Sequence, residues 1–358
     1  MKILVIRLRL IGDVVFTTPL LSGLKRAFPD ARLTYLVERE AAAVVLGNPH
    51  LDEVIVVPRT RRIRRVLDDF RLARRLRAGR YDVVLDLHGG PRSSWLARAT
   101  GAPQRIGYDV AGRSWLYTTT VPRARELRPR HSVVNQWDLL GGVRGWPGLS
   151  PDPEQHPVEM ASDAQARARI ARRLEAAGVG ARHTLIVIHV SAGNPFRRWP
   201  EASFVGLVSR LAAVDPGRRI VLSSGPSDRE AAGRIVRAAR TVESASAAQV
   251  LDFGDFDLQE LRALVERASV FVGGDSGPLH VAATTNTPIV ALFGPTLAER
   301  SEPWRSPAIR SEVVAVDALR CRPCAQRVCV HGDFRCLTTL SADAVHVAAE
   351  RAMRGAEI

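Results

Sequence analysis

Short apolar runs bounded by charge alternate along the chain with longer stretches of helical period. Lys2–Ile6 reads as a buried strand that passes through a Gly12-Asp13 loop into helical spacing from Val14 to Phe28. Thr34–Val37, Glu53–Val57 and Asp82–Leu87 repeat the strand pattern. Between the last two, Arg61–Leu76 reads as a helix, with Ile63, Val66, Leu67, Phe70 and Leu72 as its apolar positions. From Gly141 to Pro157 the pattern lapses into GGVRGWPGLSPDPEQHP, whose glycines and prolines predict a linker. The alternation then resumes, with strands at Thr184–His189, Arg219–Ser223, Val270–Val272 and Pro288–Phe293. Helices are predicted at Ala202–Ala213, Asp228–Arg240, Leu258–Ala268 and from Gly277, and an amphipathic helix spans Ala342–Met353.

Strands alternating with helices predict an α/β chain of doubly wound parallel sheets. Two Rossmann-like domains are expected, residues 1–158 and 159–340, followed by a closing helical segment, 341–358. Such domains would leave a central cleft, and ligands of open α/β sheets bind at the carboxyl ends of strands. A length of 358 residues with 46% hydrophobic content suits two cores. The 51 Lys+Arg against 37 Asp+Glu give a net charge of +14, with the excess almost all arginine, so anionic partners are favoured. Even the apolar start, MKILVIRLRLIGDVVF, is interrupted by Arg7, Arg9 and Asp13, which argues against a membrane span or a cleaved signal. The four cysteines are confined to Cys321–Cys336, unlike a disulfide-stapled secreted scaffold, and a cytoplasmic protein is expected.

Three loops hold the candidate chemistry. After the first strand, R-L-R-L-I-G-D-V-V-F-T-T-P places Asp13 at a strand-to-helix turn, either as a general base or as a helix cap. F-V-G-G-D-S-G-P-L-H, from Phe271 to His280, has the glycines that let backbone approach an anion before a helix start. Asp275, Ser276, Gly277 and His280 are therefore candidates for a pyrophosphate seat, with helix capping by Asp275 or Ser276 as the alternative. Gly294-Pro295-Thr296 adds a second loop on the same sheet edge. H-V-S-A-G-N-P-F-R-R-W-P brings Ser191, Arg197 and Arg198 there too, and a planar guanidinium suits a diphosphate leaving group. Trp199 is expected to pack the next helix, and Asp228 and Glu230 to mark a solvated helix start or reach a sugar hydroxyl.

I-G-D-V-V-F-T-T-P, R-R-W-P, G-G-D-S-G-P-L-H and F-G-P-T, in this order along two α/β halves, resemble glycosyltransferase family nine, the ADP-heptose:lipopolysaccharide heptosyltransferases. The similarity extends from Lys2 to the final helix. It implies a GT-B fold, with the acceptor held by the first domain, the nucleotide sugar by the second, and the last helix crossing back to the first. It implies Asp13 as the base of an inverting displacement, and Ser191, Arg197, Asp275, Ser276, Gly277, His280, Gly294 and Thr296 as donor-binding residues. Arg197 stands where the family commonly has lysine, and Ser191-Ala192-Gly193 departs from its hydroxyl-rich loop. No cofactor is implied for transfer. The implied partners are ADP-heptose or a related nucleotide sugar and a phosphorylated, lipid-linked saccharide of the lipopolysaccharide inner core. Another nucleotide sugar or a protein acceptor is the alternative within the class, and a non-catalytic basic module for nucleic acid or anionic membrane is the alternative outside it. The resemblance makes a nucleic-acid partner unexpected.

Two clusters remain. Cys321, Cys324, Cys329 and Cys336 have the ligand count of a structural zinc or iron site; the alternative is a reduced or disulfide-linked loop. Related autotransporter-directed heptosyltransferases bind iron through such a segment. The arginine run around 59–80, represented by Arg61, Arg64 and Arg65, reads as a solvated face or as an acceptor-binding surface. In the family setting it suits a phosphorylated acceptor presented at the inner face of an anionic membrane.

Overall fold

The computed structural model describes residues 1–57, 62–123, 130–190, 192–242 and 248–354, leaving the side chains of 62–65 outside the description. Two compact units result, Met1–Ala161 and Ser162–Ile358. The first holds strands β1 (Lys2–Ile6), β2 (Arg32–Glu38), β3 (Glu53–Val57), β4 (Val83–Asp86), β5 (Gln104–Tyr108) and β6 (Thr119–Val121), in the spatial order β3-β2-β1-β4-β5-β6. The second holds β7 (Thr184–His189), β8 (Arg218–Ser223), β9 (Val250–Asp252), β10 (Val270–Gly274), β11 (Ile289–Phe293) and β12 (Ser311–Ala315), in the order β12-β11-β10-β7-β8-β9. Neighbouring strands pair in parallel throughout the described sheets. Central strands such as Ile3–Ile6 and Leu185–Ile188 are buried on both faces, which is why they read as unbroken apolar runs. Each order reverses beside its first strand, β1 or β7, and that switch point is where ligands of such sheets bind.

Two segments differ from the pattern-based expectation. The stretch expected as one helix is two, Ile11–Val15 and Thr18–Ala27, with Pro19 in the first turn of the second, where its missing N–H costs nothing. The glycine- and proline-rich segment 141–157 is folded onto the first unit rather than linking two. Trp146 and His156 pack on the Trp137 ring at 5.9 and 4.8 Å, and the Trp137 indole donates to the Leu149 carbonyl at 2.7 Å. The last helix, Ala342–Arg354, belongs to the second unit. Val345, Ala348, Ala349 and Ala352 are fully buried there in the core that includes Leu207, Leu211 and Val290, and Arg218 forms a two-pronged pair with Glu350 at 2.6 and 2.9 Å. No described helix is long and apolar enough to cross a membrane.

Candidate active site

Each unit carries a group of functional side chains at the carboxyl ends of its strands. In the first, the chain leaves β1 at Arg7 and turns through Leu10, whose φ of 71° is the left-handed conformation an L-residue adopts only under constraint. That turn brings Asp13 back to Arg7. The Arg7 guanidinium, itself buried, donates through Nη2 to the Asp13 carboxylate and through Nη1 to the Leu87 carbonyl just past β4. The Asp13 side chain remains 31% exposed, so the pair fixes the carboxylate without sealing it off. Next to Leu87, burial and the Arg7 and Arg9 charges push the His88 imidazole down to about 4, which keeps it neutral. Asp86 anchors that loop: its carboxylate accepts from the Tyr117 hydroxyl at 2.6 Å and from the His88 and Gly89 amides at 3.0 Å. A Cβ at Gly90 would stand 2.9 Å from the His88 ring, so a larger residue there would have to displace that ring.

In the second unit the loops after β7, β10 and β11 converge on one buried carboxylate. Asp275, 3% exposed, accepts from the Thr296 hydroxyl at 2.6 Å and the Ser301 hydroxyl at 3.1 Å. Arg197 Nη1 lies 3.0 Å from the same carboxylate and donates to the Asp275 carbonyl at 3.2 Å; His280 Nε2 lies 3.7 Å away. Burial alone would raise the Asp275 pKa, but His280, Arg197 and Thr296 outweigh it and hold it down to about 2. Asp275 is thus the shared acceptor under the loops. The groups it holds at the strand ends are Arg197, 31% exposed at its side chain, and the Thr296 loop. Ser276 makes no capping bond to the helix Gly277–Ala282, and its hydroxyl has no hydrogen-bond partner among the described residues.

The cysteine segment braces these loops. Gln326 Oε1 accepts from Arg197 Nε at 2.8 Å and Asn194 Nδ2 at 2.9 Å; the Cys324 amide donates to the Pro295 carbonyl at 3.1 Å, and Arg322 Nη2 to the Thr296 carbonyl at 2.9 Å. A Cβ on Gly294 would meet Leu337 at 2.6 Å, so glycine lets this segment close on the loop. Gln326→Ala removes a charge-assisted bond to Arg197 and is expected to lower the stability measured by urea unfolding by about 1 kcal/mol. The four cysteines are free thiols lining one cavity of about 40 Å³ with Phe196, Pro295, His331 and Phe334. Burial, with Cys321 and Cys329 nearby, pushes the Cys336 thiol up. The cavity gathers the right donor atoms for a soft metal, but no three His, Cys, Asp or Glu side chains among the described residues stand in ligating positions.

Of the residues singled out from sequence, Asp275, Ser276, Gly277, His280, Gly294, Thr296 and Arg197 come together, while Asp13 stands at the corresponding edge of the first sheet. Ser191 and Arg61 lie outside the described residues, as do the side chains of Arg64 and Arg65. Arg198 serves the fold, pairing at 3.0 Å with Asp228, which is buried rather than solvated. Trp199 packs on Phe204 as expected. A cavity of about 500 Å³ at the ends of β8 and β9 is lined by Ser224, Glu230, Arg237 and Asp252, whose carboxylates suit sugar hydroxyls. A larger groove of about 1030 Å³ lies by the strand starts at Thr184, Ser269 and Pro288, away from every motif residue. Sequence reasoning missed Arg7, Gln326 and Ser301; the six-residue spacing from Arg7 to Asp13 was the available signal for the first.

The sequence profile of glycosyltransferase family 9 (heptosyltransferase) matches residues 69–334. Lipopolysaccharide heptosyltransferase 3 of Escherichia coli is 28% identical over 312 residues, covering 85% of this chain and 86% of that protein. A family 9 glycosyl transferase structure from Veillonella parvula superposes with a TM-score of 0.85 at 25% identity, over 99% of this chain and 97% of the other. The structure of E. coli ADP-heptose lps heptosyltransferase II gives 0.78 at 21% identity over the whole of both chains. The GT-B fold is shared with these enzymes.

Proposed function

The chain belongs to glycosyltransferase family 9, and from that premise we propose that it transfers heptose from ADP-heptose to a phosphorylated, lipid-linked saccharide of the lipopolysaccharide inner core. The cluster around Asp275 carries this reading: a buried carboxylate fixes an arginine and a hydroxyl loop where a nucleotide diphosphate would sit. The names of the related proteins, a lipopolysaccharide heptosyltransferase and an ADP-heptose enzyme, support the choice of donor and acceptor.

The transfer is a single displacement. Asp13 takes the proton of the acceptor hydroxyl as its oxygen forms the new bond to the anomeric carbon. The bond from that carbon to the diphosphate breaks on the opposite face, and ADP leaves with the electron pair, its charge offset by Arg197 and by donors of the Ser276 and Thr296 loops. Arg7 holds the Asp13 carboxylate in one orientation, which supports this role. Asp255 and Asp257, spaced as Asp-x-Asp, are engaged elsewhere: the first pairs with Arg229, and the second caps the helix Leu258–Val265.

Incubation with ADP-heptose and core-truncated lipopolysaccharide tests the reading. The expected product is extended by one heptose whose anomeric configuration, by NMR, is opposite to the donor's. A product of retained configuration, or a sugar covalently bound to the protein, would refute the single displacement.

A further inference from the structure

The helix Arg62–Ala78 buries Ala73 and Leu76 in the first unit's core, with Leu72 packed beside them. Three further apolar side chains among its described residues face water: Val66 is 58% exposed, Leu67 61% and Phe70 57%. Positions 66, 67 and 70 share one side of a helix, and Trp95, from the helix Pro91–Ala99, extends their surface. The Trp95 and Phe70 rings meet edge to face with centroids 5.6 Å apart, and Trp95 is itself 36% exposed. Isolated exposed apolar residues are ordinary, whereas two aliphatic and two aromatic side chains gathered in one patch mark a contact surface.

The surrounding charge identifies what it contacts. The helix carries seven arginines against Asp68 and Asp69. Asp69 is turned inward to Arg92, which also holds Glu38, and all three side chains are largely buried. Asp68 pairs at 3.3 Å with Arg71, whose side chain is 77% exposed, so the helix's remaining arginines leave its outward field positive. Aliphatic and aromatic anchors flanked by guanidinium groups match a lipid interface, where apolar side chains enter the acyl boundary and arginines meet phosphates. We propose that Val66, Leu67, Phe70 and Trp95 form a docking face for an anionic phospholipid bilayer. The face is independent of which sugar is transferred.

Co-sedimentation of the full chain with phosphatidylcholine vesicles, with and without phosphatidylglycerol, tests this without any saccharide present. The intact protein should sediment with the anionic vesicles and stay in solution with the neutral ones. Leu67→Ser/Phe70→Ser should lower the partition coefficient at least tenfold while leaving ADP affinity and Tm unchanged, because both residues are exposed and lie outside the nucleotide site. Arg71→Glu/Arg74→Glu should weaken binding most at low salt. Failure of the intact protein to bind anionic vesicles would overturn the proposal, as would equal binding by the Leu67→Ser/Phe70→Ser variant. So would a dimer in gel filtration that this variant converts to monomer, since the face would then belong to a second copy.

Discussion

Asp13→Asn is expected to lower kcat about 10³-fold and leave the Kd for ADP within about twofold, because a general base acts on the transition state and not on nucleotide binding. Asparagine keeps the shape of the side chain and removes only its ability to take a proton. Arg7 would lose its ion pair but keep its bond to the Leu87 carbonyl, so the loop after β1 should hold its course. Steady-state kinetics with saturating donor, alongside calorimetry with ADP, separates the two effects. Loss of ADP affinity together with substantial remaining turnover would remove Asp13 from the role of base. Arg7→Met provides the companion case: the carboxylate stays but loses its orientation, so kcat should fall less than in Asp13→Asn.

The second large effect is expected at Asp275. Asp275→Ala deprives Arg197, Thr296 and Ser301 of their common acceptor and leaves donors in the second unit without a partner. Removing one side of a buried, hydrogen-bonded pair of this kind typically costs about 3 kcal/mol, and a comparable loss in the nucleotide site corresponds to roughly a hundredfold weaker ADP binding. Acid titration gives an independent readout. The Asp275 carboxyl is held down to about 2 from its ordinary 3.8, so its folded form binds a proton less readily than its unfolded form. The resulting stabilisation, about 2 kcal/mol, is complete above the unfolded value and is lost as pH falls toward about 2. Urea unfolding between pH 6 and pH 2 should therefore show the intact protein losing more stability than Asp275→Ala over that window. Parallel pH profiles would mean that the carboxylate is not held as described.

Much of the architecture was legible because buried parallel strands are unbroken apolar runs: β1, β7 and β11 announce themselves. The strands β5, β6, β9 and β12 do not. Gln104–Tyr108 carries Gln, Arg and a glycine that lies under the Tyr117 ring, while Thr119–Val121 is a three-residue strand at the edge of its sheet. Periodicity identified the helix Arg62–Ala78 but not its orientation, since burial of Ala73 and Leu76 and exposure of Leu67 and Phe70 depend on where the neighbouring helix lies. The segment 141–157 looked like a linker because aromatic stacking of Trp146 and His156 on Trp137 leaves no period in sequence.

The site divides in the same way. Glycines after a strand, with Asp-Ser-Gly and Gly-Pro-Thr loops at fixed distance, made the Asp275 region readable. Its remaining partners arrive from afar: Ser301 reaches Asp275 across 26 residues, and Gln326 reaches Arg197 across 129, from a cysteine-rich loop that sequence alone suggests as a metal site or a reduced or disulfide-linked segment. Arginine at position 197 also acquires a meaning that charge alone does not convey. Its planar fork meets Gln326 through Nε and Asp275 through Nη1, contacts that a single lysine ammonium could not make together.

Calorimetric titration with ADP, UDP and GDP tests whether the second unit binds an adenosine-diphosphate sugar. ADP should bind, UDP and GDP should bind at least tenfold more weakly, and Arg197→Ala should lose most of the ADP affinity. Preference for UDP or GDP, or the absence of any nucleotide binding by the intact protein, would contradict that assignment.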